Sequence, residues 1–125
     1  MTEKILVVED QPQVVRLVRE VLKAVGYQVQ VAGYGQQALE MVALEQPDLV
    51  VLDWEVLGKR IKTLQELLEL FEQPPMIIAL SVHEQARNTA FGSGVAGFAY
   101  KGDPPELLLS TIRETRPGMR CHRRI

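Results

Sequence analysis

Five short apolar runs rich in β-branched residues recur along the chain. They are KILVVE (Lys4–Glu9), YQVQVA (Tyr27–Ala32), LVVLD (Leu49–Asp53), MIIAL (Met76–Leu80) and VAGFAY (Val95–Tyr100). The first, third and fourth are apolar almost throughout, as strands covered on both faces must be, whereas the second alternates and suits a strand nearer a sheet edge. Helical periodicity fills the gaps. Val14, Leu17, Val18, Val21, Leu22 and Val25 recur at intervals of three and four, leaving Arg16, Arg19, Glu20 and Lys23 for water. Pro12 suits the first turn of that helix and Gly26 its C-terminal stop. Further helices are predicted over Gln36–Glu45, Thr63–Phe71, Glu84–Phe91 and Pro105–Arg116. For the last, the segment DPPE offers Asp103 as N-cap, Pro104 at the first helical position and Glu106 as the acid of a capping box, and Pro117-Gly118 ends it.

Strand and helix thus alternate five times, which predicts an α/β domain with a parallel, doubly wound sheet and helices on both faces. The chain's 125 residues suffice for one domain, 1–116, followed by a short basic tail, 117–125. With 46% hydrophobic and 24% charged residues, it is neither a disordered segment nor a fibre. No apolar run is long enough to cross a bilayer, and no signal-peptide pattern opens the sequence. The single cysteine, Cys121, excludes an internal disulfide framework and fits a reducing cytoplasm. The net charge of −2 argues against a general nucleic-acid binder. The basic end, with five arginines from Arg113 onward against the one acid Glu114, reads as a solvated terminus or the start of a linker.

In a sheet of this kind, ligands gather outside the carboxyl ends of the strands, where strand order reverses. The strand ends supply Glu9 and Asp10, then Asp53, Ser81 and Lys101. Each has a plain structural reading: Asp10 at the positive end of a helix, Asp53 in a turn, Ser81 as a cap answered by Glu84, Lys101 as a surface charge. Only a common site accounts for all of them. Three carboxylates on one rim call for a cation, and an oxygen-preferring divalent ion such as Mg²⁺ fits. Partly neutralised in this way, one carboxylate can attack a phosphoryl group and form an acyl phosphate, with the amine and hydroxyl holding phosphoryl oxygens.

These residues resemble the receiver domain of two-component response regulators. The likeness runs from KILVVEDQP through GYGQQALEMV, PDLVVLD, IIALS and GVAGFAYKGDPPELL to about Arg116. It implies a five-stranded parallel sheet of order 2-1-3-4-5, the flavodoxin-like arrangement. It further implies that Asp53 accepts the phosphoryl group, that Asp10 and Asp53 bind Mg²⁺ directly, and that Glu9 reaches the ion through water. The backbone carbonyl of Glu55 would be the remaining protein ligand. Ser81 and Lys101 match the phosphoryl-contacting hydroxyl and amine. Phe98 matches the aromatic that turns inward when the hydroxyl is drawn toward phosphate, a two-state switch. The implied partners are a sensor histidine kinase or phosphotransfer protein upstream and a downstream protein or effector domain, with a homodimer compatible. The output surface would be the face of the fourth helix, fifth strand and fifth helix. Neither direct nucleic-acid binding nor a membrane is implied, and the domain would not be a turnover enzyme, at most assisting its own phosphorylation and dephosphorylation.

The sequence departs from the family pattern at several points near the site. Leu57 and Ile61 replace a common proline and glycine, Gly102 follows Lys101 in place of a frequent proline, and Val82 stands where a small residue commonly guards access. Glu55 adds a second acid beside Asp53. These departures motivate one alternative, a docking module of the same fold that works without phosphate. A second alternative is a dinucleotide-binding domain, because GYGQQA places Gly33, Gly35 and Ala38 in the G-x-G-x-x-A pattern with Asp53 on the next strand. That alternative leaves Glu9, Asp10, Ser81 and Lys101 without roles.

Overall fold

A computed structural model describes residues 3–33, 40–41, 44–55, 68–69 and 74–115. Five strands form one sheet: β1 (Lys4–Val8), β2 (Gln28–Ala32), β3 (Leu49–Asp53), β4 (Met76–Ser81) and β5 (Gly97–Tyr100). All neighbouring pairs are parallel and the order is β2-β1-β3-β4-β5, as the sequence resemblance implies. Three helices fall within the described residues: α1 (Pro12–Ala24), α2 (Arg87–Gly92) and α3 (Glu106–Thr115). A single 3-10 turn, Glu84–Ala86, leads into α2. The expected helices over 36–45 and 63–71 lie largely outside the described residues; Glu40, Met41, Leu44, Glu45, Leu68 and Glu69 are helical.

The sheet separates two apolar layers because successive side chains of a strand point to opposite faces. Leu6, Val8, Val50, Leu52, Ile77 and Ala79 pack with Ala90 of α2 and with Trp54, Val95 and Phe98 on one face. Ile5, Val7, Leu49, Val51, Ile78 and Leu80 pack on the other against Val18 and Leu22 of α1 and Leu108 and Ile112 of α3. Every residue of β3 is buried, while β2, at the sheet edge, alternates between exposed and half-buried positions before ending in buried Ala32. That contrast is the one legible in LVVLD against YQVQVA.

Pro12 occupies the first turn of α1, where its missing N–H costs nothing. At the other end the Gly26 N–H donates to the Lys23 carbonyl and the Tyr27 N–H to the Leu22 carbonyl, with Gly26 at φ +100°. This pair of bonds is a Schellman stop, which glycine favours because it has no Cβ to clash in the left-handed region. The expected cap of the last helix does not form. α3 begins at Glu106, its first turn is closed by Leu107 N–H to the Pro104 carbonyl, and no side-chain bond from Asp103 is present among the described residues. The two prolines explain it: with neither Pro104 nor Pro105 carrying an N–H, an Asp103 carboxylate would find at most one of its usual donors.

Candidate functional site

The chain reverses direction about β1: β2 lies on one side of it and β3 on the other. The carboxyl ends of β1 and β3 therefore flank the crevice where such sheets bind ligands. Glu9 follows β1 directly and keeps its N–H bonded to the Ala32 carbonyl, so its side chain is fixed over the rim. Asp53 is the last residue of β3, Ser81 the last of β4, and Lys101 follows β5, with its N–H donating to the Ser81 carbonyl at 2.7 Å. The register sets Asp53 beside Leu80 and Ser81 beside Tyr100. Four strand ends thus deliver the ionic and hydroxyl groups to one edge.

Glu9, Asp53 and Ser81 are the buried polar residues here, exposed by only 1%, 2% and 0%. The Lys101 ammonium lies 2.9 Å from Glu9 Oε1 and 3.1 Å from Asp53 Oδ2. Asp10 is exposed, and one carboxylate oxygen each from Glu9, Asp10 and Asp53 lie within 4.8 Å of one another. Burial pushes the Glu9 carboxyl above its ordinary range; the bonds from Lys101 and the Gln11 N–H (3.1 Å to Oε2) oppose this, and the Asp53 charge reinforces it. For Lys101, burial alone would lower the pKa, but the bond to Glu9 and the charges of Asp53 and Glu9 prevail and raise it. Three carboxylates against one ammonium leave two negative charges on the rim, the charge a divalent cation cancels.

The remaining Asp53 oxygen, Oδ1, accepts the Glu55 N–H at 3.0 Å. The Glu55 side chain turns to the next strand end. Its Oε2 accepts the Ser81 hydroxyl at 2.6 Å, and its Oε1 accepts the Val82 N–H at 3.1 Å. Ser81 Oγ also accepts the His83 N–H at 3.0 Å. Ser81 is therefore not the cap of the Glu84 turn: that position is held by His83, without a side-chain bond. Phe98 is buried in the core with Ala90 and Val95, in the inward orientation, and the Arg87 guanidinium lies over its ring at 5.7 Å.

The sequence placed the Glu55 acid beside Asp53 and its carbonyl among the metal ligands, but not the bonds of its carboxylate to Ser81 and Val82. The available signal was an acid two residues beyond the aspartate that ends β3, the strand adjacent to the one that ends in Ser81. Arg87 over Phe98 was missed as well. Val82 is 43% exposed at the mouth of the site. Gly102 follows Lys101 without a cis peptide, and a Cβ there would meet the outer end of the Tyr100 ring. Leu57 and Ile61 lie outside the described residues, as do Gly35 and Ala38.

The profile of the response regulator receiver domain matches residues 5–113. The chain belongs to the response regulator receiver domain family. Among curated relatives, the receiver domain is 44% identical over 73 residues to the sporulation initiation phosphotransferase F of Bacillus subtilis, covering 53% of this chain and 59% of that protein. It is 31% identical over 106 residues to the alkaline phosphatase synthesis transcriptional regulatory protein PhoP of the same organism, covering 83% of this chain and 43% of PhoP. The receiver domain thus spans 43% to 59% of the length of these relatives. Among solved structures it matches the BeF3-activated receiver domain of Klebsiella pneumoniae RstA at 30% identity and a TM-score of 0.76, covering 90% of this chain and 98% of that one. The fold also matches the chemotaxis regulator CheY4 of Vibrio cholerae, with a TM-score of 0.79 at 21% identity over 92% of this chain and 99% of that one. Receiver domains of this family bind Mg²⁺ at an acidic site, and in this chain Glu9, Asp10 and Asp53 form an acidic cluster. Gly33, the one described glycine of the dinucleotide-binding alternative, follows β2, the edge strand of the sheet. Among the described residues, no helix is long and apolar enough to cross a membrane.

Proposed function

We propose that the receiver domain takes a phosphoryl group onto Asp53 from a phosphohistidine of a sensor kinase or phosphotransfer protein, with Mg²⁺ bound, and passes the change to a partner. The observation that carries this reading is the pairing of a strand-end Asp53, 2% exposed, with both Lys101 and a second buried acid, Glu9, at the switch point of the sheet. A carboxylate kept this dry and aimed outward from a strand end is costly as a turn residue and useful as a nucleophile. In the transfer an Asp53 carboxylate oxygen forms the new P–O bond while the donor's P–N bond breaks, and the departing imidazole keeps the electron pair and takes up a proton.

Asp10 and Asp53 would hold Mg²⁺ directly, Glu9 through water, and Glu55 through its carbonyl; the ion supplies positive charge against the phosphoryl oxygens. The excess of two negative charges on the rim fits that assignment. Lys101 bridges Glu9 and Asp53 and neutralises charge on the transferred group. Ser81 is the switch hydroxyl and Phe98 the switch ring, with the output surface on α2, β5 and α3. The receiver unit is residues 1–116, with 117–125, outside the described residues, as a tail or the start of a linker. We place it in the cytoplasm, upstream of a separate protein or an effector domain. It acts once per phosphorylation cycle rather than as a turnover enzyme.

A phosphate-independent docking module is the second reading, and the specific observation behind it is that Ser81 is already bonded to Glu55. One experiment separates the two. The wild type and Asp53→Asn are exposed to a small phosphodonor with Mg²⁺, and binding to the downstream partner is compared. The phosphoacceptor reading expects acyl phosphate on the wild type only, with partner binding changed only there. Equal partner binding by the two proteins, with no acyl phosphate on either, would overturn it.

A further inference from the structure

Glu55 makes an arrangement that the phosphoacceptor reading does not require. Both of its carboxylate oxygens are used, each by a different donor at the end of β4: the Ser81 hydroxyl at 2.6 Å and the Val82 N–H at 3.1 Å. Its own N–H meanwhile reaches Asp53 Oδ1 at 3.0 Å, tying the residue to the reactive aspartate two positions before it. Ser81 is fully buried, and hydrogen bonds to an ionised acceptor are the strong ones. Lys101 takes no part, being held by Glu9 and Asp53. An anion of this chain therefore occupies the Ser81 hydroxyl, the donor that the family resemblance assigns to phosphoryl oxygen.

The switch ring agrees with that occupancy. Phe98 is 6% exposed and packed among Ala79, Ala90 and Val95, the inward orientation. Drawing the Ser81 hydroxyl toward an anion and turning the ring inward are the two halves of the expected response to phosphorylation, and both are present with Glu55 as the anion. Resting on the proposed roles of Ser81 and Phe98, we infer that Glu55 is a positioning residue: its carboxylate holds Ser81 and Val82 and keeps the switch in its inward state before any phosphoryl group arrives. A ligand shifts a two-state element only by its differential affinity for the two states. Phosphorylation of this chain then changes the partner of the Ser81 hydroxyl more than it changes the position of Phe98.

The test is nuclear magnetic resonance of the whole chain, reading the Val82 amide and the Phe98 ring before and after beryllofluoride with Mg²⁺. In the wild type the Phe98 signals should move little on addition. In Glu55→Ala they should start elsewhere and move to the wild-type position on addition, and exchange of the Val82 amide with solvent should be about tenfold faster or more, the loss expected of a charge-assisted bond. Glu55→Gln, which keeps the volume, guards against a folding defect and should shift in the same direction, as should Ser81→Ala at Phe98. A role limited to stabilising the turn would speed Val82 exchange and leave Phe98 unmoved. Phe98 signals identical in wild type and both Glu55 variants before beryllofluoride would overturn the inference. The phosphoacceptor reading fails differently, by an absence of any beryllofluoride response around Asp53 in every protein.

Discussion

Lys101→Met tests the electrostatics of the rim most severely. Methionine keeps much of the apolar stem and removes the ammonium that bridges Glu9 at 2.9 Å and Asp53 at 3.1 Å. Two buried carboxylates then face each other with no cation, and breaking a buried ion pair from one side costs about 3–5 kcal/mol. With a urea dependence of about 2 kcal/mol per molar, the midpoint should fall by about 2 M without Mg²⁺. The sign of the pH dependence follows from the shifts. The Lys101 pKa is raised above 10.5, so its contribution is fully present below 10.5 and is lost only as pH rises through the still higher folded value. In the variant, Glu9 loses the bond that opposes its desolvation, and its carboxyl, already above 4.5, rises further. A carboxyl raised in the folded state makes the native protein bind more protons, so stability grows as pH falls through that raised value toward 4.5. The deficit should therefore be largest at neutral pH and shrink toward pH 5. Mg²⁺, which replaces the missing charge, should recover about 2.7 kcal/mol at a hundredfold excess over its dissociation constant. Urea titrations of both proteins at two pH values, with and without Mg²⁺, measure all of this. A neutral-pH loss under about 1 kcal/mol, the range of an exposed pair, would refute the reasoning.

Three further outcomes follow from particular contacts. Gly97→Ala would place a Cβ 2.7 Å from Thr115 Cγ2 and 3.2 Å from Thr111 Cγ2, pushing α3 from β5, and should lower stability by about 1–3 kcal/mol in thermal or urea unfolding. Gly26→Ala meets nothing within 4 Å but must hold φ near +100°, so it should cost about 1–2 kcal/mol through backbone strain alone, with spectra unchanged elsewhere. Glu9→Gln removes a charge from the cluster of Glu9, Asp10 and Asp53 and should weaken Mg²⁺ binding about 10–100-fold, measured by the Mg²⁺ dependence of the melting temperature or of fluorescence from buried Trp54.

The strands were legible because burial on both faces demands uninterrupted apolar runs, and β3 coincides with its predicted span, Leu49–Asp53. The ends differ where polar side chains carry on or leave the ladder. β4 continues through Ser81, whose carbonyl takes the Lys101 N–H, while β1 stops at Val8 although Glu9 still bonds Ala32. The gathering of Glu9, Asp10, Asp53 and Lys101 was legible because a parallel sheet collects its strand ends on one rim. Caps were not. Asp103 had too few donors behind two prolines, and the Ser81 hydroxyl was taken by Glu55, which reaches it only because β3 lies beside β4. A bond between residues 26 apart leaves no local signature in sequence.

Locating the phosphoryl group tests the central claim most directly. The protein is treated with acetyl phosphate or a phosphorylated histidine donor and Mg²⁺, the acyl phosphate is reduced with borohydride, and the modified residue is found by tandem mass spectrometry. The account predicts homoserine at position 53 in the wild type and none anywhere in Asp53→Asn. Modification at Asp10, Glu9 or Glu55, or none at all in a protein that binds Mg²⁺, would contradict it.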